Sequence, residues 1–220
     1  MVRIALVAAL ALSVSTIACV NDSDSDGEDV ASDEAAATQR ATFTNPLNTA
    51  GCADPGVMAE GDTFYMACTG GKFGIRQSKD LVNWGPSGGV ILADGKPTWA
   101  DNGGRNWAPE LHKSDAGFLA YYTTVNGANR LSIGVATSPS PTGPFTDKGS
   151  PLVEDGKGVI DATFFTDDDG SKWLFYKIDG NSVGASTPIY VRELGPKGLA
   201  FKAGSVATQS VDPPDENVTV

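Results

Sequence analysis

Two aspartates carry the chemistry open to this sequence. Asp54 stands in ADPGV (53–57) and Asp161 in IDATF (160–164), each at the head of a short apolar run. The chain has one histidine, His112, so histidine-rich zinc sites are excluded, and a serine or cysteine nucleophile would depend on that single imidazole. Hydrolysis then falls to carboxylates. Two carboxyl groups facing one pocket are what cleavage of a glycosidic bond requires, with one kept protonated and the other ionised.

These aspartates are far apart in the chain, so a repeated architecture must bring them together. Aligning ADPGV, WAPEL (107–111) and IDATF puts Asp54, Ala108 and Asp161 on equivalent positions, 54 and then 53 residues apart. Each is followed by a short strand, a turn with Gly61, Gly117 or Gly170, and an aromatic second strand: TFYMAC (63–68), FLAYYT (118–123) or KWLFYK (172–177). Third strands are predicted at 73–78, 131–137 and 188–194, and fourth strands at 88–92, 149–153 and 204–208, after Trp84, Phe145 and Phe201. Four short antiparallel strands at this period describe a propeller blade. A propeller gathers the heads of its innermost strands around one funnel, which makes Asp54 and Asp161 one constellation. The second-strand aromatics read as packing between blades.

Composition agrees with an all-β chain. Of 220 residues, 40% are apolar and 20% charged, with 26 Gly and 13 Pro, favouring many short strands and turns. A formal charge of −11 argues against a nucleic-acid partner. Residues 1–19 place Arg3 before an apolar stretch and end in Ala18-Cys19, a signal-peptide pattern that resembles a bacterial lipobox with Thr16 where Leu is preferred. Cys19 is the candidate lipidation site, ordinary secretion being the alternative; the membrane would be met only through that anchor. Residues 20–41 read as an acidic, solvated tether, although Asp22, Asp24, Asp26 and Gly27 mimic the start of a calcium loop. In an oxidising compartment Cys52 and Cys68 either form a disulfide across the open end of the first hairpin or are two small buried residues.

The order and spacing of ADPGV, SKDLVNW (78–84), WAPEL, SPTGPF (140–145) and IDATFFTDDDG (160–170) resemble glycoside hydrolase family 43. The resemblance implies a five-bladed β-propeller with about three blades in residues 42–220, acting on arabinose- or xylose-containing plant-wall glycans with inversion. It also implies Asp54 as general base, Asp161 as the residue that orients the acid, and a fourth-blade Glu, soon followed by Pro, as general acid. The chain departs from that pattern at PPDENVTV (213–220), where Glu216 is the only late Glu and no Pro follows it. The acid is expected just past Val220, and this chain alone is expected to be inactive. Five such blades need roughly 270 residues, so a piece of a longer reading frame is expected. The family's central calcium and its histidine ligand would need the missing blades. No metal site or cofactor is therefore expected in this chain, and His112 reads as a surface residue.

Trp107, beside the Asp-equivalent Ala108, and Trp99, in the loop before it, are candidate walls for a sugar subsite. Glu110 reads as a hydrogen-bonding residue deeper in the sheet. Asp167, Asp168, Asp169 and Gly170 read as a hairpin tip. The long segment 177–190 offers Lys177 or Asn181 to the pocket. Two other readings stand beside the enzyme: a surface glycan-binding propeller or degenerate fragment without catalysis, and a fructan-cleaving five-bladed relative. Ala53, where the latter places Asn, weighs against it.

Overall fold

The structure, a computed structural model, describes residues 51–101 and 104–211. The signal-like segment, Cys19, the tether and Glu216 lie outside them. Three four-stranded antiparallel sheets make up the described chain, each in sequence order. Blade one comprises β1 (Gly56–Glu60), β2 (Thr63–Ala67), β3 (Gly74–Ser78) and β4 (Gly85–Val90). Blade two comprises β5 (Trp107–Ser114), β6 (Gly117–Val125), β7 (Leu131–Ser138) and β8 (Thr146–Asp147). Blade three comprises β9 (Val159–Thr166), β10 (Lys172–Ile178), β11 (Ile189–Leu194) and β12 (Thr208–Val211), with a 3-10 turn at Gly180–Val183 between β10 and β11. The 54-residue repeat is thus one sheet per period.

Strand alternation explains how the blades hold together. β6 is buried along nearly its whole length because it has a neighbour on each face. Phe118, Ala120 and Tyr122 point to blade one and join Met58, Phe73, Ile75, Ile91 and Leu111. Leu119 and Tyr121 point the other way, to Val159, Ala162, Phe164 and Leu174 of blade three. Each fully buried Leu, Ile or Val of these layers contributes about 1.5–3 kcal/mol. The two buried tyrosines bring hydroxyls that need partners: Tyr121 donates to the Gly198 carbonyl at 2.7 Å, and Tyr122 donates to the Asp147 carboxylate. Burial pushes both phenols well above their ordinary range. The β6 aromatics are therefore interblade packing, as their repeat suggests.

Tyr122 also dictates a glycine. A Cβ on Gly134, directly opposite it on β7, would lie 2.4 Å from the ring. The ring is sealed in the core and has nowhere to go. Gly134→Ala is expected to lower unfolding free energy by about 1–3 kcal/mol, whereas Gly85→Ala, which meets nothing within 4 Å, stays near neutral. Urea denaturation of both variants checks this.

The outer strands differ from the sequence expectation. In blade two the ladder stops at Asp147, is interrupted by Gly149 (φ +89°) and Pro151, then returns as a single bridge from Val153 to Ile133. Proline lacks the N–H that a continuous strand would need. In blade three Phe201 makes one bridge to Leu194, Gly204 turns the chain at φ +79°, and pairing resumes only at β12. In blade one β4 starts at Gly85, three residues earlier than expected, and Ile91 and Leu92 still bond to Phe73 and Lys72.

Candidate active site

The innermost strands lie side by side, β5 between β1 and β9. Their approach is close: a Cβ on Gly56 would sit 2.1 Å from the Pro109 carbonyl oxygen. At the shared end of these strands a cleft of about 160 Å³ is lined by Asp54, Pro55, Gly56, Ala108, Pro109, Glu110, Asp161, Ala162 and Thr163. Three consecutive residues come from each blade, beginning at the three repeat-equivalent positions. A larger hollow of about 580 Å³ on blade one has no carboxylate in its lining, whereas the repeat-equivalent aspartates meet in the smaller cleft.

The equivalence extends to backbone conformation. Asp54, Ala108 and Asp161 all have positive φ, at +47°, +41° and +57°. In β5 the register shifts between Trp107 and Glu110, and in β10 between Phe175 and Lys177, opposite Asp161. A bulge of this kind re-aims a side chain at a strand end. Left-handed backbone is costly for any residue with a Cβ but milder for Asp than for most. Ala108 keeps that conformation without a carboxylate, so the positive φ belongs to the blade geometry and the aspartates use it.

Asp54 is held from one side. Thr69 donates its hydroxyl to Asp54 Oδ2 at 2.6 Å and accepts the Ala108 N–H at 2.9 Å. The Thr69 N–H donates to the Ala53 carbonyl at 2.9 Å. Cys52 and Cys68, the neighbours of these two segments, form a disulfide with Cα atoms 5.1 Å apart. Asp161 sits in a different field. Its carboxyl is raised above the ordinary 3.8, first by partial burial and further by the charges of Asp54 and Asp179, against the opposing pull of Lys177. Lys177 Nζ stands 4.0 Å from Asp161 Oδ2. Asn181 lies exposed on the 3-10 turn and is not part of the cleft lining.

The raised Asp161 has a stability consequence. Between 3.8 and its raised value, the folded state binds more protons than the unfolded state, so stability falls as pH rises through that window. Asp161→Asn is expected to raise the urea midpoint at neutral pH and to lose that advantage below about pH 3, where both forms are uncharged. Midpoints measured from about pH 2 to 7 test the sign.

Glu110 is tied into the wall. Its carboxylate accepts from the Thr163 hydroxyl at 2.9 Å and the Phe164 N–H at 3.4 Å, and pairs with His112 Nε2 at 2.7 Å. It therefore joins β5 to β9. His112 is not a surface residue: it is half-buried, its ring 5.1 Å from that of Phe164 and 6.1 Å from that of Tyr121. Its position on β5 turns it into the seam between blades two and three.

Neither tryptophan lines the cleft. Trp107 is half-buried against Val125, Leu131 and Ile160. Trp99 stacks on Tyr122 and donates its indole N–H to Asp147 at 3.1 Å, in the seam between blades one and two. The Asp167–Gly170 segment is the β9–β10 turn, closed by Gly170 N–H to the Asp167 carbonyl. Two residues that sequence reasoning missed hold the site together, Thr69 and Asn106. Asn106 is buried, donates to the Gly71 and Gly95 carbonyls and accepts from Thr124. Residue type alone marks neither. Among the described residues no three His, Cys, Asp or Glu side chains converge to hold a metal ion. They do not by themselves form a cage for the calcium that the resemblance implies.

The sequence model described as Glycosyl hydrolases family 43 matches residues 43–218. The chain belongs to this family. Among similar proteins, the extracellular exo-alpha-(1->5)-L-arabinofuranosidase ArbA of Cellvibrio japonicus is 33% identical over 138 residues, covering 56% of this chain and 39% of that protein. The arabinoxylan arabinofuranohydrolase of Bacillus subtilis is 34% identical over 144 residues, covering 56% of this chain and 26% of that protein. The crystal structure of a thermostable family-43 glycoside hydrolase superposes with a TM-score of 0.67 at 28% identity, covering 80% of this chain and 58% of that one. The chain thus spans less than two thirds of the length of each of these proteins. Family 43 membership makes it a chain of glycoside hydrolase type with a propeller-type fold.

Proposed function

We propose that this chain carries the base side of an inverting glycosidase site acting on arabinose- or xylose-containing glycans. Asp54 removes a proton from a water, and Asp161 holds and tunes the acid that protonates the leaving oxygen. The cleft that joins the two repeat-equivalent aspartates is the observation that carries this reading. The division of roles follows from electrostatics: a carboxylate beside the acid raises the acid's pKa and keeps it protonated near neutrality. Glu110, the remaining carboxylate of the cleft lining, is engaged by His112 and Thr163, which suits a wall and not a proton donor. With the cleft's three carboxylates so assigned, no proton donor remains among them, and turnover on natural glycans is expected to be lacking.

The relatives' names support arabinose-containing substrates. Trp107, partly buried and next to Ala108 but outside the cleft lining, is the better sugar-stacking candidate of the two, since Trp99 is engaged between blades. Export, with an optional lipid anchor at Cys19, follows from the signal-like N-terminus and agrees with an extracellular relative. The reading is tested on dinitrophenyl arabinofuranoside and xyloside, whose leaving groups need no acid. Release of dinitrophenolate that disappears in Asp54→Asn supports it; release indifferent to that change overturns it.

A further inference from the structure

We propose that Thr69 is a positioning residue for Asp54, fixing Oδ2 through a relayed hydrogen bond so that Oδ1 receives the proton of the attacking water. This rests on the reading of Asp54 as the base. The geometry supplies the argument. A threonine hydroxyl has one proton to donate and lone pairs to accept. The Ala108 N–H, 2.9 Å away, occupies the accepting side, which turns the single O–H onto Asp54 Oδ2 at 2.6 Å.

The relay depends on both ends being rigid. Ala108 reaches Thr69 because its left-handed backbone and the register shift of β5 release its N–H from the β5–β6 ladder. Thr69 is stiff at χ1 because it is β-branched. It is also fastened to the Asp54 segment by its own N–H to Ala53 and by the Cys52–Cys68 disulfide one residue away. A bulge on blade two thereby sets the rotamer of a side chain on blade one. In the reaction the water proton passes to Oδ1. The water oxygen forms the new bond to the anomeric carbon as the bond to the leaving oxygen breaks, its electron pair departing with the leaving group. Oδ2 stays on Thr69 throughout.

Thr69→Val keeps the shape and removes the relay; Thr69→Ser keeps the hydroxyl. Two readouts on the full chain separate the cases. Three-bond couplings about the Asp54 Cα–Cβ bond are expected to report one rotamer in wild type and Thr69→Ser, and averaged rotamers in Thr69→Val. On dinitrophenyl arabinofuranoside, kcat of Thr69→Val is expected to fall at least about tenfold with KM within about threefold, since misplacing a reacting group weakens the chemical step more than binding. Thr69→Ser stays within about threefold of wild type in both constants. A single Asp54 rotamer in Thr69→Val overturns the proposal whatever the activity, as does a Thr69→Ser variant that behaves like Thr69→Val. If turnover is absent in wild type or survives in Asp54→Asn, the base assignment fails instead, while the couplings still decide whether Thr69 holds Asp54.

Discussion

Asp54→Asn is expected to slow dinitrophenolate release from a dinitrophenyl arabinofuranoside by at least about a hundredfold, the lower end of what a positioned base contributes. The same wild-type chain is expected to leave linear arabinan uncut. The contrast comes from the leaving group. A dinitrophenolate departs as a stable anion, so a site with a base and no acid suffices. The sugar alkoxide of arabinan must be protonated as it leaves, and the carboxylates lining the cleft are assigned elsewhere: Asp54 to water, Asp161 to tuning, Glu110 to His112 and Thr163. Initial rates on the two substrates make the comparison. Robust arabinan hydrolysis that is lost in Asp54→Asn would show that an acid is in place in this chain and contradict that expectation.

Gly56→Ala is expected to be strongly damaging for a single methyl. Its Cβ would lie 2.1 Å from the Pro109 carbonyl oxygen and 2.9 Å from the Glu110 Cα, both backbone atoms. A flexible side chain could swing aside; two innermost strands cannot separate without unpacking the layer of Met58, Leu111 and Tyr122. Overpacking usually costs about 1–3 kcal/mol, and a backbone collision belongs at or beyond the top of that range. Because Gly56, Pro109 and Glu110 also line the cleft, the variant should lose dinitrophenolate release even below its unfolding midpoint. Denaturation and rate measurements on one preparation test both. A variant as stable as wild type would mean the innermost strands stand further apart than described.

The parts legible in the sequence were those written in periodicity. Gly61, Gly117 and Gly170 before aromatic second strands set the hairpins within one or two residues, because the turn and the alternation are local. The repeat alignment of Asp54, Ala108 and Asp161 foresaw which residues would share a cleft, and their common positive φ is the same repeat expressed in the backbone. The fourth strands were less legible, because Gly149, Pro151 and Gly204 break them into bridges whose register the third strand decides. His112 was misplaced because its burial depends on Phe164, a neighbour 52 residues away supplied by another blade. Thr69 and Asn106 were invisible for a related reason. Their roles are set by partners across blade and loop boundaries, and nothing in a threonine at a strand end or an asparagine before a tryptophan announces them.

Asp54 and Asp161 share one electrostatic environment although 106 residues lie between them in the chain. An NMR titration of the Asp161 carboxyl carbon, in wild type and in Asp54→Asn, reads this directly without any need for turnover. The expected result is a midpoint above the ordinary 3.8 in wild type that moves down when the Asp54 charge is removed. An Asp161 midpoint that does not respond to Asp54→Asn would contradict the shared cleft, and the assignment of base and acid-tuning roles with it.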